Sequence, residues 1–274
     1  MRVIVVGAGA LGSWAGAALM RGGADVTLVA RGDHGAAMAA GGLTVRVGTA
    51  AHHVRPAVAG SVGQAMAAAG AGYDVALVAV KSWATVAVGA ELAAAGGVGR
   101  VISLQNGVGN EAVLAAAMAG RPEPSLAERA TRRCAAVGAG AVTVGVAVER
   151  PGVVVAGERG GVGLERDGGW GGELAERFTA AGVPAVLVDD AVALKWSKLL
   201  LNMLGAATTA ILDRAPAEVL ARRDVFGLEL SAWREALAVM RAHGIAVVDL
   251  PGYGVRRVAA AVSWVPAAVL HRAL

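Results

Sequence analysis

The 274-residue chain has a single cysteine, Cys134, so an intramolecular disulfide is excluded. A chain without disulfides suits a reducing compartment, and we expect a cytoplasmic protein. Aromatic residues make up only 4% of the sequence, whereas 56% is hydrophobic and 40 residues are glycine. The core must therefore be built from small aliphatic side chains joined by many tight turns. So much apolar material also excludes a disordered chain.

Lysine and asparagine are scarce as well. Only three of the 25 basic residues are lysine, and only three asparagines occur. Arginine can replace lysine at an exposed position, but it cannot replace a compact ammonium that holds or transfers a proton. The few lysines and asparagines that do occur are therefore candidates for function. They are Lys81, Lys195, Lys198, Asn106, Asn110 and Asn202.

Several classes of partner lack their usual sequence features. The net charge of +4 comes from scattered arginines in runs of at most two, so we expect no nucleic-acid partner. The five histidines lack metal-ligand spacing with acids or cysteine, and we expect no metal. Residues 3–20 are uncharged, as in a signal peptide or membrane span, but four glycines interrupt them. We interpret this stretch as a strand, a turn and a helix, and expect no membrane partner.

The same stretch contains a dinucleotide-binding fingerprint in the context that such a motif requires. A predicted strand at 2–6 precedes Gly-Ala-Gly-Ala-Leu-Gly, and a helix to about residue 21 leads to a second strand at 25–30. The three glycines would permit a tight turn, backbone approach to a pyrophosphate, and close helix–strand packing. The helix N-terminus would face the phosphates with free N–H groups. The predicted cofactor-binding residues here are Gly7, Gly9, Ala10, Leu11 and Gly12.

Arg31 follows the second strand, where NAD-binding proteins carry an acid for the ribose hydroxyls. A guanidinium at this position can pair bidentately with a 2′-phosphate. The sequence therefore favours NADP (NADPH) as the cofactor. The alternative is that Arg31 is a solvated arginine or begins the next helix.

Two further strands are predicted at 74–80 and 101–104, and Lys81 and Asn106 follow them. Ligands of open parallel sheets bind outside the carboxyl ends of the strands. Gly7 and Arg31 also lie at such ends. This shared placement predicts one cofactor cleft, which includes Lys81 and Asn106.

The remaining pattern divides the chain in two. We predict strands at 43–47, 141–148, 152–156 and 183–188, a helix at 173–181, and almost only helix from residue 191. The predicted fold is α/β. An NADP-binding, Rossmann-type parallel-sheet domain spans 1–188, and a helical substrate domain spans 189–274.

A predicted helix over 195–212 places Lys195, Lys198, Asn202 and Thr209 on one stripe of an otherwise apolar segment. Polar groups in such a helix should face a cleft rather than the core. We therefore regard Lys198 and Asn202 as candidates for function. Lys195 is interpreted as solvating the first turn.

Together, the motifs at 7–12, 29–31, 80–83, 105–107 and 195–199, with Asn202, resemble the ketopantoate reductase family. Its members reduce 2-dehydropantoate to pantoate with NADPH in pantothenate biosynthesis. The resemblance implies a role for each matching residue: Arg31 and Lys81 hold the cofactor, Asn106 bridges nicotinamide and substrate, Lys198 is catalytic, Asn202 binds the substrate, and Glu235 is structural.

The sequence departs from the family pattern in two places. Ala206 replaces a second asparagine, and the family's later stretch with a substrate-binding serine and a glutamate has no counterpart. We therefore expect a helical domain shortened at its C-terminus. The expected reaction is reduction of a 2-oxo acid. The alternatives are another 2-oxo acid or ketone as substrate, or a non-catalytic dinucleotide-binding protein. The apolar last helix would suit a homodimer or a missing segment, and both stay open.

Overall fold

The computed structural model describes residues 1–131, 133–166 and 169–272, and its strands form two sheets. In chain order the strands are β1 (Arg2–Val6), β2 (Asp25–Val29), β3 (Leu43–Val47), β4 (Ala50–Val54), β5 (Ala57–Ala59), β6 (Tyr73–Val78), β7 (Val98–Ser103), β8 (Val137–Val142), β9 (Val146–Arg150), β10 (Val153–Ala156), β11 (Val162–Glu165) and β12 (Ala185–Val188).

Helices cover the sheets and make up most of the described chain after β12. They are α1 (Ala10–Arg21), α2 (Gly32–Gly41), α3 (Val62–Ala69), α4 (Thr85–Ala95), α5 (Asn110–Met118), α6 (Leu126–Thr131), α7 (Trp170–Ala180), α8 (Ala191–Met203), α9 (Ala206–Leu212), α10 (Pro216–Ala221), α11 (Arg223–Ala242), α12 (Val255–Trp264) and α13 (Ala267–Arg272). Within the described ranges, none of them combines the length and the apolar character needed to cross a membrane.

The large sheet has the strand order β12-β11-β8-β7-β6-β1-β2-β5. Its pairs are parallel except for β8 with β11. Helices lie on both faces, as parallel connections require. The predicted α/β fold, with a Rossmann-type sheet followed by helices, is confirmed. The described strands end at Val188, and the division into domains 1–188 and 189–274 stays a prediction.

The small sheet, of order β4-β3-β10-β9, was not predicted. It packs on α1, where its valines join the core around Trp14. The single strand predicted at 141–148 is wrong, because those residues divide between β8 and β9 in different sheets. Thr143 accounts for the break: its hydroxyl accepts from the Gly161 N–H and donates to the Pro251 carbonyl.

Three apolar cores hold the molecule together. One face of the large sheet packs on α1 and α7, where the rings of Trp14 and Phe178 stack with centroids 6.2 Å apart. The opposite face packs on α3, α4 and α5. The third core surrounds Trp233 in the helical half. Helix α8 belongs to this third core and also packs on β8 and β11, so it joins the two halves of the chain.

The helix predicted over 195–212 is interrupted, because α8 ends at Met203 and α9 begins at Ala206. Gly205 between them has φ +78°, a left-handed conformation that favours glycine. Glu229 of α11 fixes the break, since its carboxylate accepts from the Gly205 N–H at 3.0 Å and the Thr208 hydroxyl at 2.6 Å. Thr209 therefore does not share the stripe of α8, and that part of the prediction is wrong.

Candidate active site

Four neighbouring strands of the large sheet end in a single row. Val6 of β1 pairs with Val29 of β2 and with Val78 of β6, and Val78 pairs with Ser103 of β7. The residues that follow these strands therefore emerge at one edge of the sheet. Adjacent strands are about 4.8 Å apart, so the row from β2 to β7 spans about 14 Å. The residues predicted to form the cofactor cleft all follow this row: Gly7, Arg31, Lys81 and Asn106.

The loop after β1 is shaped by close backbone contacts. Gly7 has φ +97°, and a Cβ there would lie 2.6 Å from Val80 Cγ1. A Cβ on Gly12 would collide with the Gly7 carbonyl oxygen. Gly9 is exposed, and the position of its Cβ has no neighbour within 4 Å. The loop is therefore tight on its inner side and open where a ligand would approach.

The open side of this loop fits a phosphate group. Helix α1 begins at Ala10, and Leu11 and Gly12 also lie in its first turn. No side chain caps this end. Backbone N–H groups and the positive end of the helix dipole therefore point towards the opening beside Gly9. Such a site would hold the pyrophosphate of a dinucleotide.

Arg31 lies at the β2 end of the row and begins α2 as its N-cap residue. Its side chain is 74% exposed, donates from Nε to the Gly60 carbonyl at 3.3 Å, and has Nη2 3.6 Å from Glu91 Oε1. The guanidinium is thus accessible to a ligand and already has a carboxylate neighbour. A 2′-phosphate would compete with Glu91 for it.

Lys81 follows β6 and is exposed, with its carbonyl accepting from the Ala84 N–H at the start of a 3-10 turn. Trp83 in this turn is 83% exposed. The turn lies between the glycine loop and the end of β7. An ammonium there is accessible to a phosphorylated ligand.

Asn106 and Asn202 meet across the two halves of the chain. Asn202 Nδ2 donates to Asn106 Oδ1 at 3.3 Å. The backbone of Asn106 is held by Asn110, whose Nδ2 donates to the Asn106 carbonyl at 2.8 Å. The three asparagines of the chain therefore gather at one point. The structure brings both predicted substrate-binding residues together, while their roles stay predictions.

Lys198 lies one turn before Asn202 on α8 and is half-buried. Residues three or four apart share a helix face, so Lys198 lies on the face that contacts the end of β7. Burial lowers the pKa of the Lys198 ammonium, because desolvation disfavours the charged form. An ammonium with a lowered pKa gives up its proton more readily, which suits proton donation.

The expectation that Lys195 solvates the first turn of its helix is wrong. It is 4% exposed, and its Nζ lies 2.8 Å from Glu111 Oε1. The same ammonium donates to the carbonyls of Ser103 at 3.2 Å and Gln105 at 2.8 Å. The prediction failed because position in a helix does not show what packs against it, and here the end of β7 covers this turn.

Gln105 extends this polar contact towards Lys81. Its Nε2 donates to the Val80 carbonyl at 3.1 Å and to Thr85 Oγ1 at 2.8 Å. Its Oε1 accepts from Ser103 Oγ at 3.3 Å. These contacts of Gln105 were not predicted, although Gln105 directly precedes Asn106 in the sequence. The prediction concerned Asn106 alone, because no local pattern indicates what the Gln105 side chain contacts.

Two acids on α11 lie in different environments. Glu235, expected to be structural by resemblance, is exposed, whereas Glu229 is buried and fixes the break after α8. Glu229 and Gly205 are 24 residues apart in the sequence, so this contact is apparent only from the structure. No group of three or more potential metal-binding side chains occurs among the residues placed by the structure.

Two family models match the chain. The one described as "Ketopantoate reductase PanE/ApbA" covers residues 3–166, and "Ketopantoate reductase PanE/ApbA C terminal" covers residues 190–263. The resemblance stated from the sequence motifs is thereby confirmed. The match extends across both the sheet and the helical half that carries Lys198.

Curated relatives agree with the family models. The chain is 31% identical over 220 residues to the 2-dehydropantoate 2-reductase of Pyrococcus horikoshii, an alignment that covers 78% of this chain and 64% of that protein. It is 32% identical over 247 residues to that of Archaeoglobus fulgidus, which covers 89% and 75%. The aligned part is thus slightly less than two thirds of the Pyrococcus protein. Both relatives are oxidoreductases that act on CH–OH groups.

A solved structure supports the fold at similar identity. The PanE/ApbA family ketopantoate reductase from Ralstonia eutropha JMP134 has a TM-score of 0.76 with this chain at 29% identity. The superposition covers 96% of this chain and 80% of that one. The likeness therefore includes the sheet edge, α8 and the helical half.

Proposed function

Because the chain belongs to the ketopantoate reductase family, we propose that it reduces a 2-oxo acid to the 2-hydroxy acid with NADPH. Ketopantoate is the leading substrate, and pantoate would be its product, which places the enzyme in pantothenate biosynthesis. In this proposal the domain 1–188 holds the cofactor and the domain 189–274 supplies the catalytic lysine.

The contact between Asn106 and Asn202 carries this proposal. Asn106 lies in the row of strand ends where the cofactor would bind, and Asn202 lies one turn after Lys198 on α8. Their 3.3 Å hydrogen bond therefore brings the proposed catalytic lysine and the proposed cofactor cleft to the same place. A substrate between them would meet amide donors, an ammonium and the cofactor together.

Each residue has a defined task in the proposed reaction. When bound, the reduced nicotinamide would supply a hydride to the ketone carbon. The C=O π pair then moves to the oxygen, which takes a proton from the Lys198 ammonium, and solvent restores that proton. Asn106 and Asn202 orient the substrate through hydrogen bonds that add no net charge. Fixed donors of this kind stabilise charge that develops on the oxygen.

The cofactor would be held along the row of strand ends. The backbone of Gly7, Gly9, Ala10, Leu11 and Gly12 receives the pyrophosphate, while the ammonium of Lys81 offsets its charge. Arg31 receives the 2′-phosphate, which is the reason for proposing NADPH rather than NADH.

A turnover assay tests the proposal. We expect the purified chain to oxidise NADPH with ketopantoate, as followed at the nicotinamide absorbance band, and to form pantoate in equal amount. Turnover only with other 2-oxo acids or ketones would change the proposed substrate but support the proposed NADPH-dependent reduction. Tight NADPH binding without turnover on any of them would support a non-catalytic dinucleotide-binding protein instead.

A further inference from the structure

A buried group of polar side chains lies directly behind the proposed active site. We call it the Lys195 cluster, and it consists of Lys195, Glu111, Ser103, Gln105 and Thr85. Each of these residues is 7% exposed or less. The Lys195 ammonium forms an ion pair with Glu111 Oε1 at 2.8 Å, and it donates hydrogen bonds to the carbonyls of Ser103 and Gln105. The charge is therefore both paired and hydrogen-bonded, as a buried charge must be.

The cluster holds the two peptide groups that lead into proposed site residues. The Gln105 carbonyl, which accepts from Lys195, belongs to the peptide bond before Asn106. The Val80 carbonyl, which accepts from the Gln105 side chain, belongs to the peptide bond before Lys81. Displacing either bond would move a residue that faces the cofactor or the substrate.

Lys195 also fixes the position of α8 against β7. It lies three residues before Lys198 and seven before Asn202, so all three share one helix face. A shift of α8 along β7 would break the contacts of Lys195 and change the distance from Lys198 to Asn106 together. One ammonium thus sets the spacing of groups that belong to different halves of the chain.

Anchoring α8 does not require this buried charge. Ala193, Leu194 and Leu200 of α8 are fully buried in the helical core. Trp196 Nε1 donates to the Ala130 carbonyl at 2.7 Å, and Ser197 Oγ accepts from the Val248 N–H. An apolar residue at 195 would pack at a lower desolvation cost than an ion pair. The lysine therefore contributes directional hydrogen bonds. These fix the position of α8 along β7, which apolar contacts alone would not determine.

We propose that Lys195 and Gln105 are positioning residues for ketone reduction, because they hold Asn106, Lys81 and Lys198 in a single geometry. The inference rests on the proposed function. It assigns these two residues no contact with substrate or cofactor. They act through the peptide groups and the helix that they fix.

The test compares two variants of the full chain. Lys195→Met with Glu111→Gln removes both charges, so that neither is left buried and unpaired. Trp196→Phe is the matched control, because it removes one partly buried hydrogen bond from the neighbouring position of the same helix. Folding is checked by circular dichroism and thermal melting.

In the double variant we expect kcat with ketopantoate to fall on the order of 10²-fold, the effect of a misplacement of about 1 Å. We expect Kd for NADPH to change far less than kcat, because Gln105 still holds the peptide group before Lys81 and the glycine loop and Arg31 are untouched. Hydrogen–deuterium exchange of the peptide covering 104–109 should become faster. Trp196→Phe should leave both kcat and this exchange close to those of the natural chain.

Two results would overturn the proposal: unchanged exchange at 104–109 in the double variant, or a loss of kcat no larger than in Trp196→Phe. If the double variant does not fold, Gln105→Met is judged by the same two criteria, because it keeps the ion pair. If the natural chain turns over neither ketopantoate nor another 2-oxo acid or ketone with NADPH, the proposed function fails. The exchange measurement then decides the positioning role alone.

Discussion

Lys198 is half-buried, and desolvation lowers the pKa of its ammonium. Proton donation to a ketone needs the charged form, which is lost as the pH rises through this lowered pKa. The reverse oxidation needs the neutral amine as a base, which forms over the same range. The two directions of the proposed reaction therefore have opposite pH dependence on the alkaline side.

We expect kcat for reduction to decline on an alkaline limb that lies below the pKa of free lysine, about 10.4. Lys198→Ala should lower kcat about 10²- to 10⁴-fold and abolish this limb. The measurement is kcat against pH in both directions. A limb that persists in Lys198→Ala would assign the titration, and the proton transfer, to another group.

Arg31 is the residue on which the choice between NADPH and NADH depends. Its guanidinium is exposed, and Glu91 lies 3.6 Å from it. We expect Arg31→Ala to lower the ratio of kcat/KM for NADPH to that for NADH about 10- to 100-fold, the value of a charge-assisted hydrogen bond. Glu91→Gln should raise the same ratio, because it removes a carboxylate that competes with the 2′-phosphate for the guanidinium.

The control for this pair is the double variant. Glu91→Gln should have no effect on the ratio once Arg31 is alanine, since its influence acts through the guanidinium. A ratio that is equal in the natural chain and in Arg31→Ala would refute the phosphate assignment.

At the scale of elements, His34 of α2 connects the small sheet to the glycine loop. Its Nδ1 accepts from the Gly152 N–H at 3.1 Å, so its Nε2 carries the proton and faces Ser13 Oγ at 3.1 Å. The Ser13 hydroxyl donates in turn to the Ala8 carbonyl at 2.9 Å. The turn between β9 and β10 is therefore linked to the loop that would bind phosphate.

This link requires a neutral His34, and burial lowers the pKa of its imidazole. Because the unfolded chain binds the proton more readily, the stabilisation is fully present above about pH 6.5. It is lost as the pH falls from there through the folded pKa. We expect the free energy of unfolding, measured in urea, to decrease over this window, and we expect His34→Ala to weaken the decrease.

His53→Ala serves as the control, because it removes another histidine from the same half of the chain. The same loss of pH dependence in both variants would contradict the assignment to His34. A melt of each variant in high salt checks that the effect is not a general charge effect.

At the scale of the whole molecule, the sequence alone was sufficient to predict the edge of the large sheet at which the strands end. Local patterns predict the β-branched strands and the glycine fingerprint. They also predict where the strands end, which is the row that Gly7, Arg31, Lys81 and Asn106 follow. Local patterns also predicted α8 with Lys198 and Asn202 on one face. The contact between Asn106 and Asn202 confirms that these predicted elements meet, although it assigns no role to either.

Sequence reasoning failed where distant segments determine the local structure. The small sheet pairs β3 with β10, which are about a hundred residues apart, and no local pattern encodes that pairing. The break after α8 depends on Glu229, and the burial of Lys195 depends on the end of β7. A lysine or a glycine is compatible with several environments, so its neighbours in space decide which one it has.

The ion pair at Lys195 also limits how the two halves can move. Pulling α8 away from β7 would leave a buried charge unpaired, at a cost of about 3–5 kcal/mol. The paired charge therefore opposes any motion that separates α8 from the end of β7, and with it any motion that separates Asn202 from Asn106.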